Sequence, residues 1–423
     1  MSGRDAGPGA GALKIPRIFW VFWTARTLSW AGTGISGVVL PVLVYDRTGS
    51  PTLTTLLAAA EGMPYLALGL PAGAVADRFR RRGLMAGCDL ACAALMGSIP
   101  VAWALGGLST GLVVLAALGA ASAFVFFDAA SFGAVPVLAG RERVAGAVSG
   151  LSAASSVTSM IAPAVAGGLL AVLAPAQAVI VDAASYLVSA ALLASIRHPF
   201  ELPDTAGRPR LAWADMLEGA RFVWRQPLLR AMTFLAATPV SVTGGAGVGL
   251  TVIYAVRALG LARTDPRIGL LYSAGAAGST AAALALPRVR RWLRPGRLTL
   301  AFLALDAASL AWVALARGFA AALAGLACWQ FCYSMVTING ITQRQELTPD
   351  RLQSRVNTTA RMLGFGGFPV GALIGGGLAD MLPVRVTLLV MCAPVAAAAA
   401  AGLRSPLRRE PAPAPAVAAA TGR

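Results

Sequence analysis

The stretch GLPAGAVADRFRRRG at residues 69–83 decides the class of this protein. An apolar, glycine-rich segment ends at Asp77 and passes directly into four arginines within residues 78–82. Arginine and lysine residues close to the ends of membrane spans are retained on the cytoplasmic side. The pattern therefore predicts a membrane helix that stops at a cytoplasmic loop.

The composition of the whole chain indicates a membrane protein as well. Of the 423 residues, 57% are hydrophobic and only 13% are charged, whereas soluble domains have about 25% charged residues. Apolar runs of about 20 residues, each long enough to cross a ~30 Å hydrocarbon core as a helix, recur along the sequence without the period-two alternation of barrel strands. The sequence predicts twelve such spans, at residues 18–44, 53–76, 84–105, 111–136, 146–171, 177–196, 231–256, 268–287, 298–316, 319–341, 354–379 and 384–403.

The basic residues that give the chain its formal net charge of +17 lie mostly in the loops between these spans and in the two tails. With the N-terminus inside, 27 of the 35 lysines and arginines fall on the inner side, 6 on the outer side and 2, Arg26 and Arg361, within spans. This bias predicts cytoplasmic termini, and it explains the positive charge by topology and attraction to anionic membrane lipid. It leaves no need for a nucleic-acid partner.

The motif loop has a more specific order than a cytoplasmic loop requires. Gly73 is followed by Asp77 and Arg78, and then by the paired Arg81 and Arg82. This order resembles the loop 2–3 signature of the major facilitator superfamily, although Arg80 stands where that signature usually has glycine. The resemblance implies a secondary transporter in which these residues form an inner gate between two parallel six-helix halves.

Several other segments are similar to one branch of that superfamily, which exports enterobactin, macrolides and other natural products. The branch implies a small-molecule substrate and export, but no particular compound. Relatives in it often carry Gly-Asp in the first span, where this chain has Gly32 and Thr33. The matching segments are LPVLVYDRTGS (40–50), VFFDAASFGAVPVL (125–138), VIVDAASYLVSAALL (179–193), EGARFVWRQPLLRAM (218–232) and ITQRQELTPDRLQSRV (341–356).

An internal repeat divides the chain into two halves. Residues 143–171 parallel residues 351–379, with Pro163 and Pro369 close to register. The expected organisation is an all-α integral membrane protein with a cytoplasmic tail (1–17), a six-helix half (18–196), a cytoplasmic central loop with an amphipathic segment (197–230), a second six-helix half (231–403) and a disordered cytoplasmic tail (404–423).

Charged residues inside membrane spans are costly and are therefore functional candidates. A rise of ~1.5 Å per residue places Arg26 and Asp128 at one depth, about 12–14 Å from the inner face. They could form an ion pair that opens and closes during transport. Alternatively, Asp128 pairs with an arginine of residues 78–82 in the inner gate, as the resemblance implies.

Glu61 is the second candidate for proton coupling. It precedes Asp77 by sixteen residues, about 24 Å along the helix, and so lies in the outer half of its span. A desolvated carboxyl group there could load and release a proton, or the side chain could simply point into a hydrated vestibule. Asp89, Asp182 and Asp306 are interpreted as structural.

A substrate surface follows from helical spacing. Arg26, Trp30 and Thr33 share one face of the first span. In the tenth span, Gln330, Tyr333 and Thr337 do the same. Such mixed aromatic and polar walls suit an amphipathic solute, although small and hydroxyl residues also pack membrane helices together.

The energy source is an ion gradient, because Lys14 is the only lysine and no GxxxxGK[ST] loop surrounds it. Carboxylates within spans favour protons as the coupling ion. The five cysteines are interpreted as packing residues, and no metal or cofactor is expected, since the only histidine, His198, lies in a loop. We therefore expect a monomeric transporter of the cell membrane and no enzyme, the alternative being a non-transporting receptor or assembly factor on the same fold.

Overall fold

The computed structural model describes residues 16–140, 143–198, 200, 221–349 and 353–408, and all regular structure in these ranges is helical. A helical stretch at residues 221–225 precedes the second set of long helices. The long helices are α1 (Arg17–Thr48), α2 (Pro51–Arg78), α3 (Arg81–Ala104), α4 (Thr110–Ala139), α5 (Val144–Leu170), α6 (Pro175–Ser195), α7 (Pro227–Arg257), α8 (Arg267–Trp292), α9 (Pro295–Leu315), α10 (Phe319–Leu347), α11 (Gln353–Met381) and α12 (Val384–Gly402).

Among the described residues, ten helices are long and apolar enough to cross a membrane, namely α1, α3 to α10 and α12. The ends of the predicted apolar runs agree with the helix ends to within six residues. The prediction of an all-helical membrane protein is therefore confirmed. The count of twelve crossings and the cytoplasmic position of the termini stay predictions.

The chain forms two compact units. The first consists of Met1–Leu40 and Ala67–Arg210. In it, α3 packs against α4 and α6. Its core is built from large apolar side chains that are almost fully buried, including Phe19, Phe22, Met85, Phe127, Leu193 and Phe200.

The second unit consists of Pro41–Leu66 and Leu211–Arg423. Helix α9 packs here against α10 and α12, as α3 packs against α4 and α6 in the first unit. This is the contact pattern that a parallel repeat would produce. The remaining close helix pairs are α7 with α11 and α12, and α8 with α10.

The segment Pro41–Leu66 packs on α7 and α11 through glycines. A β-carbon placed on Gly249 would lie 3.1 Å from Thr55 Cγ2, and one on Gly62 would lie 2.9 Å from Pro369 Cγ. Small residues let membrane helices approach closely. These close contacts explain why Pro41–Leu66 belongs to the second unit.

Helix α7 contains a π-helical stretch at Met232–Ala237. The backbone N–H and the hydroxyl of Thr238 both donate to the carbonyl of Thr233, five residues earlier. A π-bulge of this kind accommodates one more residue than a regular helical turn. The side chains on the two sides of the stretch are therefore rotated relative to an uninterrupted α-helix.

Candidate transport site

The first unit contains an ion pair inside its helical bundle. Arg26 of α1 donates from Nη2 to Asp128 Oδ1 of α4 at 2.7 Å. The Arg26 side chain is 5% exposed and that of Asp128 is 37% exposed. Of the two pairings left open by the sequence, the structure contains the one between Arg26 and Asp128.

Aromatic rings surround the Arg26 guanidinium. Its Cζ lies 4.8 Å from the ring centroid of Trp30, 5.3 Å from that of Phe124 and 4.6 Å from that of Phe127. A cation over the faces of aromatic rings is attracted by their negative π-density, more strongly where water is excluded. The rings thus stabilise a positive charge whose carboxylate partner remains accessible.

The motif arginines make a different set of contacts. Arg81 donates from Nη1 to the carbonyl oxygen of Gly133 at 2.9 Å, and Arg82 Nη1 donates to that of Ile196 at 2.7 Å. Gly133 leaves room for the guanidinium, because a β-carbon there would lie 2.5 Å from Arg81 Cζ. These arginines tie the start of α3 to the end of α4 and to the residue that follows α6.

The other motif residues make fewer contacts. Gly73 is half-buried, and a β-carbon on it would meet no atom within 4 Å. Arg78 is exposed. The Asp77 side chain lies outside the described part of the structure, so its pairing stays a prediction.

Glu61 lies on α2 in the second unit. Its side chain is exposed, and among the described residues it has no ion-pair partner. Tyr272 of α8 lies near its carboxylate. Glu61 therefore belongs to a different compact unit from Arg26 and Asp128.

The predicted substrate residues fall into two groups. In the first unit, Trp30 contacts Arg26, and the Thr33 hydroxyl lies 2.9 Å from the Tyr186 hydroxyl. Where relatives often carry a carboxylate, Thr33 therefore makes a neutral hydrogen bond across to α6.

In the second unit, Tyr333 of α10 packs on Gly244, where a β-carbon would lie 2.5 Å from its ring. Gln330 packs on Gly275 in the same way, and Thr337 donates to the Tyr333 carbonyl at 2.9 Å. Gln330, Tyr333 and Thr337 are half-buried. These contacts match the helix-packing alternative, and they leave part of each side chain accessible.

A group of contacts that the sequence analysis missed joins Tyr45 to two arginines, and we call it the Tyr45 clamp (Tyr45, Arg257 and Arg263). Arg257 donates from Nε to the Tyr45 hydroxyl at 2.9 Å. The Cζ atoms of Arg257 and Arg263 lie 6.0 and 5.7 Å from the Tyr45 ring. The signal was present, since Tyr45 lies in one of the segments matched to the exporter branch, but its partners are more than 200 residues away.

The clamp extends to main-chain groups. Arg257 Nη1 donates to Ala379 O at 2.8 Å, and Arg263 Nη1 donates to Asp46 O at 2.8 Å. Thr52 also donates to the Asp380 carboxylate. The start of α2 and the loop before it are thereby attached to the ends of α7 and α11.

Asp265, in the loop before α8, has a fixed negative charge. Hydrogen bonds of 2.8 to 3.2 Å from the Arg267 guanidinium and backbone hold the pKa of Asp265 below its usual range. A lowered pKa means that the group loses its charge only in acid. Asp265 therefore stays ionised near neutral pH and is unsuited to carry a proton.

Comparison with known proteins assigns the family. The family model of the Major Facilitator Superfamily matches residues 22–368. The chain belongs to the major facilitator superfamily. It is therefore a membrane transporter by family and a multi-pass protein of the cell membrane, as predicted.

Relatives within the superfamily are efflux proteins. The multidrug efflux pump Tap of Mycobacterium tuberculosis is 26% identical over 403 residues, covering 91% of this chain and 93% of Tap. The enterobactin exporter EntS of Escherichia coli is 27% identical over 409 residues, covering 92% of this chain and 89% of EntS. Among solved structures, the nucleoside transporter NupG has a TM-score of 0.75 at 12% identity, covering 92% of this chain and 99% of NupG. The predicted resemblance is thus confirmed.

Proposed function

We propose that the chain exports an amphipathic small molecule, such as an antibiotic, a siderophore or another natural product, in exchange for protons. The relatives Tap and EntS support the direction of transport and the breadth of the substrate class. The observation that carries the proposal is the Arg26–Asp128 ion pair among aromatic rings within helices long enough to cross a membrane. Charges at such depth are seldom retained without a function.

The proposed architecture has twelve spans in two halves, residues 18–196 and 231–403, with both termini in the cytoplasm. Alternating access would proceed by movement of the halves around a site near the middle of the bilayer. Gly73, Asp77 and Arg78 with Arg81 and Arg82 form the proposed inner gate. The protein works as a monomer in this proposal.

In the proposed site, the Arg26 guanidinium and its rings receive the solute. Trp30 and Thr33 belong to this wall, and Gln330, Tyr333 and Thr337 are the proposed substrate-contacting residues of the second unit. An amphipathic compound with hydrogen-bonding groups matches such walls. Proton binding at Asp128 would break its ion pair with Arg26. The Arg26 side chain could then move, so that the shape of the substrate site would depend on protonation.

Reconstitution tests the proposal. Purified protein in proteoliposomes should accumulate a compound against its gradient when a pH difference is imposed, and collapse of that difference should stop accumulation. The compounds come from a screen of a deletion strain against antibiotics and siderophores. If no compound from the panel moves under any imposed pH gradient, the chain is a receptor or assembly factor instead.

Glu61 is the proposed proton-coupling residue of the second unit. Glu61→Gln should abolish uphill export and leave downhill exchange, because a neutral amide mimics the protonated carboxyl but cannot release a proton. Uphill export by this variant at the wild-type rate would remove Glu61 from the mechanism. Glu346→Gln, which alters an exposed carboxylate paired to Arg290, is the control and should leave both modes unchanged.

A further inference from the structure

The first unit contains a second set of acidic side chains that the Arg26–Asp128 pair does not use. We call it the Asp182 cluster. It consists of buried or half-buried side chains from three helices, namely Ser36 of α1, Asp89 of α3, and Asp182, Ser185 and Ser189 of α6. The exposed fraction is 2% for Asp89 and 1% for Asp182.

Serine hydroxyls are the donor groups that lie next to the two carboxylates. Ser189 faces Asp89, and Ser36 and Ser185 face Asp182. Among the described residues, however, Asp89 Oδ2, Asp182 Oδ1 and the hydroxyls of Ser36 and Ser189 have no hydrogen-bond partner. Buried polar atoms are almost always paired in folded proteins. Each of the two buried aspartates therefore has one carboxylate oxygen whose negative charge no hydrogen bond compensates.

The helices pack so closely at Asp182 that little space is left for a water molecule beside its carboxylate. A β-carbon on Gly32 would lie 2.5 Å from Asp182 Oδ1 and 2.8 Å from Ser185 Cβ. The backbone of α1 thus presses directly against the carboxylate of α6. Only glycine at position 32 permits this approach, and the same contact removes Asp182 from solvent.

The charge balance of the cluster is unfavourable for two ionised carboxylates. The titratable groups that face them are Cys88 and Cys92 of α3, Tyr186 of α6 and Arg26 of α1. Arg26 is the only cation of this set, and it already bonds Asp128 at 2.7 Å. Burying an ionised carboxylate without a partner costs several kcal/mol.

We infer that Asp89 and Asp182 form an interior proton-binding site, which holds a proton in this structure and releases it during transport. A bound proton removes the buried charge and turns one carboxyl oxygen into an O–H donor, which a neighbouring serine hydroxyl can accept. A metal ion fits less well, since no group of three or more metal-ligating side chains occurs in the described ranges. This inference rests on the proposed proton-coupled transport and names a site for it.

The position of Arg26 connects this site to the ion pair. When a conformational change opens the cluster to water and the Asp89 carboxyl releases its proton there, a negative charge arises near Arg26 and competes with Asp128 for the guanidinium. When the proton returns, this competition ends and the bond from Arg26 to Asp128 is restored. Proton binding at the Asp182 cluster therefore controls the same side chain that we place in the substrate site.

The proton itself is the probe in the first test. Infrared spectra of the purified protein, recorded while the pH is varied, report protonated carboxyl groups directly. Wild-type protein should show a carboxyl band that disappears as the pH rises, and Asp89→Asn and Asp182→Asn should each remove part of it. A wild-type spectrum without a titrating carboxyl band, or one unchanged in both variants, would overturn the inference.

Proteoliposome flux gives the second readout. Asp182→Asn should reduce pH-driven uphill transport at least tenfold while downhill exchange stays within about twofold of wild type. The control is Glu346→Gln, which removes an exposed carboxylate in the second unit and should leave uphill transport within about twofold. Equal loss in both variants, or none in Asp182→Asn, would refute the assignment.

Two further arms separate the possible failures. Ser189→Ala keeps both carboxylates, so it tests the site even if an aspartate variant does not fold, and it should shift the pH at which the band disappears. Transport driven by a sodium gradient and not by a pH gradient would overturn the proton assignment. If wild type transports nothing, the proposed function fails, whereas the infrared titration still decides the protonation of the cluster.

Discussion

At the scale of single residues, Arg26 is the side chain with the most specific surroundings. It is buried, bonded to one carboxylate and covered by three aromatic rings. An ion pair so placed is expensive to break by removing one partner, because the other charge stays buried without compensation. Its energetic role can therefore be measured apart from transport.

We expect Asp128→Asn to destabilise the protein by about 1–3 kcal/mol, the cost of leaving a buried polar partner unsatisfied. In an Arg26→Met background the same change should cost much less, because no guanidinium is left to compensate. Thermal unfolding in detergent of the four proteins of this double-mutant cycle measures the coupling. Equal effects of Asp128→Asn in both backgrounds would contradict a stabilising pair, and Asp46→Asn, at an exposed position, is the control.

The sequence predicts some residue contacts and not others, for a physical reason. Arg26 and Asp128 were placed at one depth because helical rise converts residue number into height. The unpaired oxygens around Asp182 were not predicted, and Asp182 was interpreted as structural. Whether a buried carboxylate finds a donor depends on how α1, α3 and α6 pack, and spacing along one helix does not contain that information.

At the scale of elements, the Tyr45 clamp holds the loop between α1 and α2. Gly49 in this loop has a φ of +64°, a conformation that side chains with a β-carbon rarely adopt. Its carbonyl accepts a bond from Arg257 Nη2 at 3.4 Å. The loop is therefore fixed both by its own turn and by α7.

Arg257→Ala should loosen this loop without unfolding the helices, because it removes three hydrogen bonds that end on Tyr45, Gly49 and Ala379. With a net ~1 kcal/mol for each bond, amide hydrogen exchange at residues 49–54 should rise tenfold or more. Arg267→Ala, at an exposed ion pair, is the matched control and should change little. Unchanged exchange in Arg257→Ala would show that the clamp contributes nothing to loop stability.

The apolar runs of the sequence predicted where each long helix lies, but they predicted its exact ends less well. Apolar runs mark the part of each helix that faces hydrocarbon, whereas the helices continue into polar sequence beyond it. Helix α10 runs to Leu347, past the predicted end at residue 341, through Thr342 and Gln343. Gln343 donates to Glu346 within this last turn, which supports helix outside the apolar run.

At the scale of the whole molecule, the distribution of arginine predicts orientation. We expect both termini in the cytoplasm, since 27 of 35 basic residues then lie on the inner side. Fluorescent-protein fusions at either terminus should fluoresce, and alkaline phosphatase fusions there should be inactive. A phosphatase fusion in the loop at residues 48–50 is the positive control, and active phosphatase at a terminus would reverse the topology.

The π-helical stretch Met232–Ala237 has a consequence for how this chain tolerates changes in length. Loss of one residue from a regular membrane helix turns every following side chain by about 100° and displaces its packing face. Loss of one residue from this stretch would restore an ordinary α-helical turn and keep both flanking faces in register. Single-residue deletions should therefore be accepted in this stretch and rejected elsewhere in α7, so the bulge is the natural place for insertions and deletions to arise during divergence.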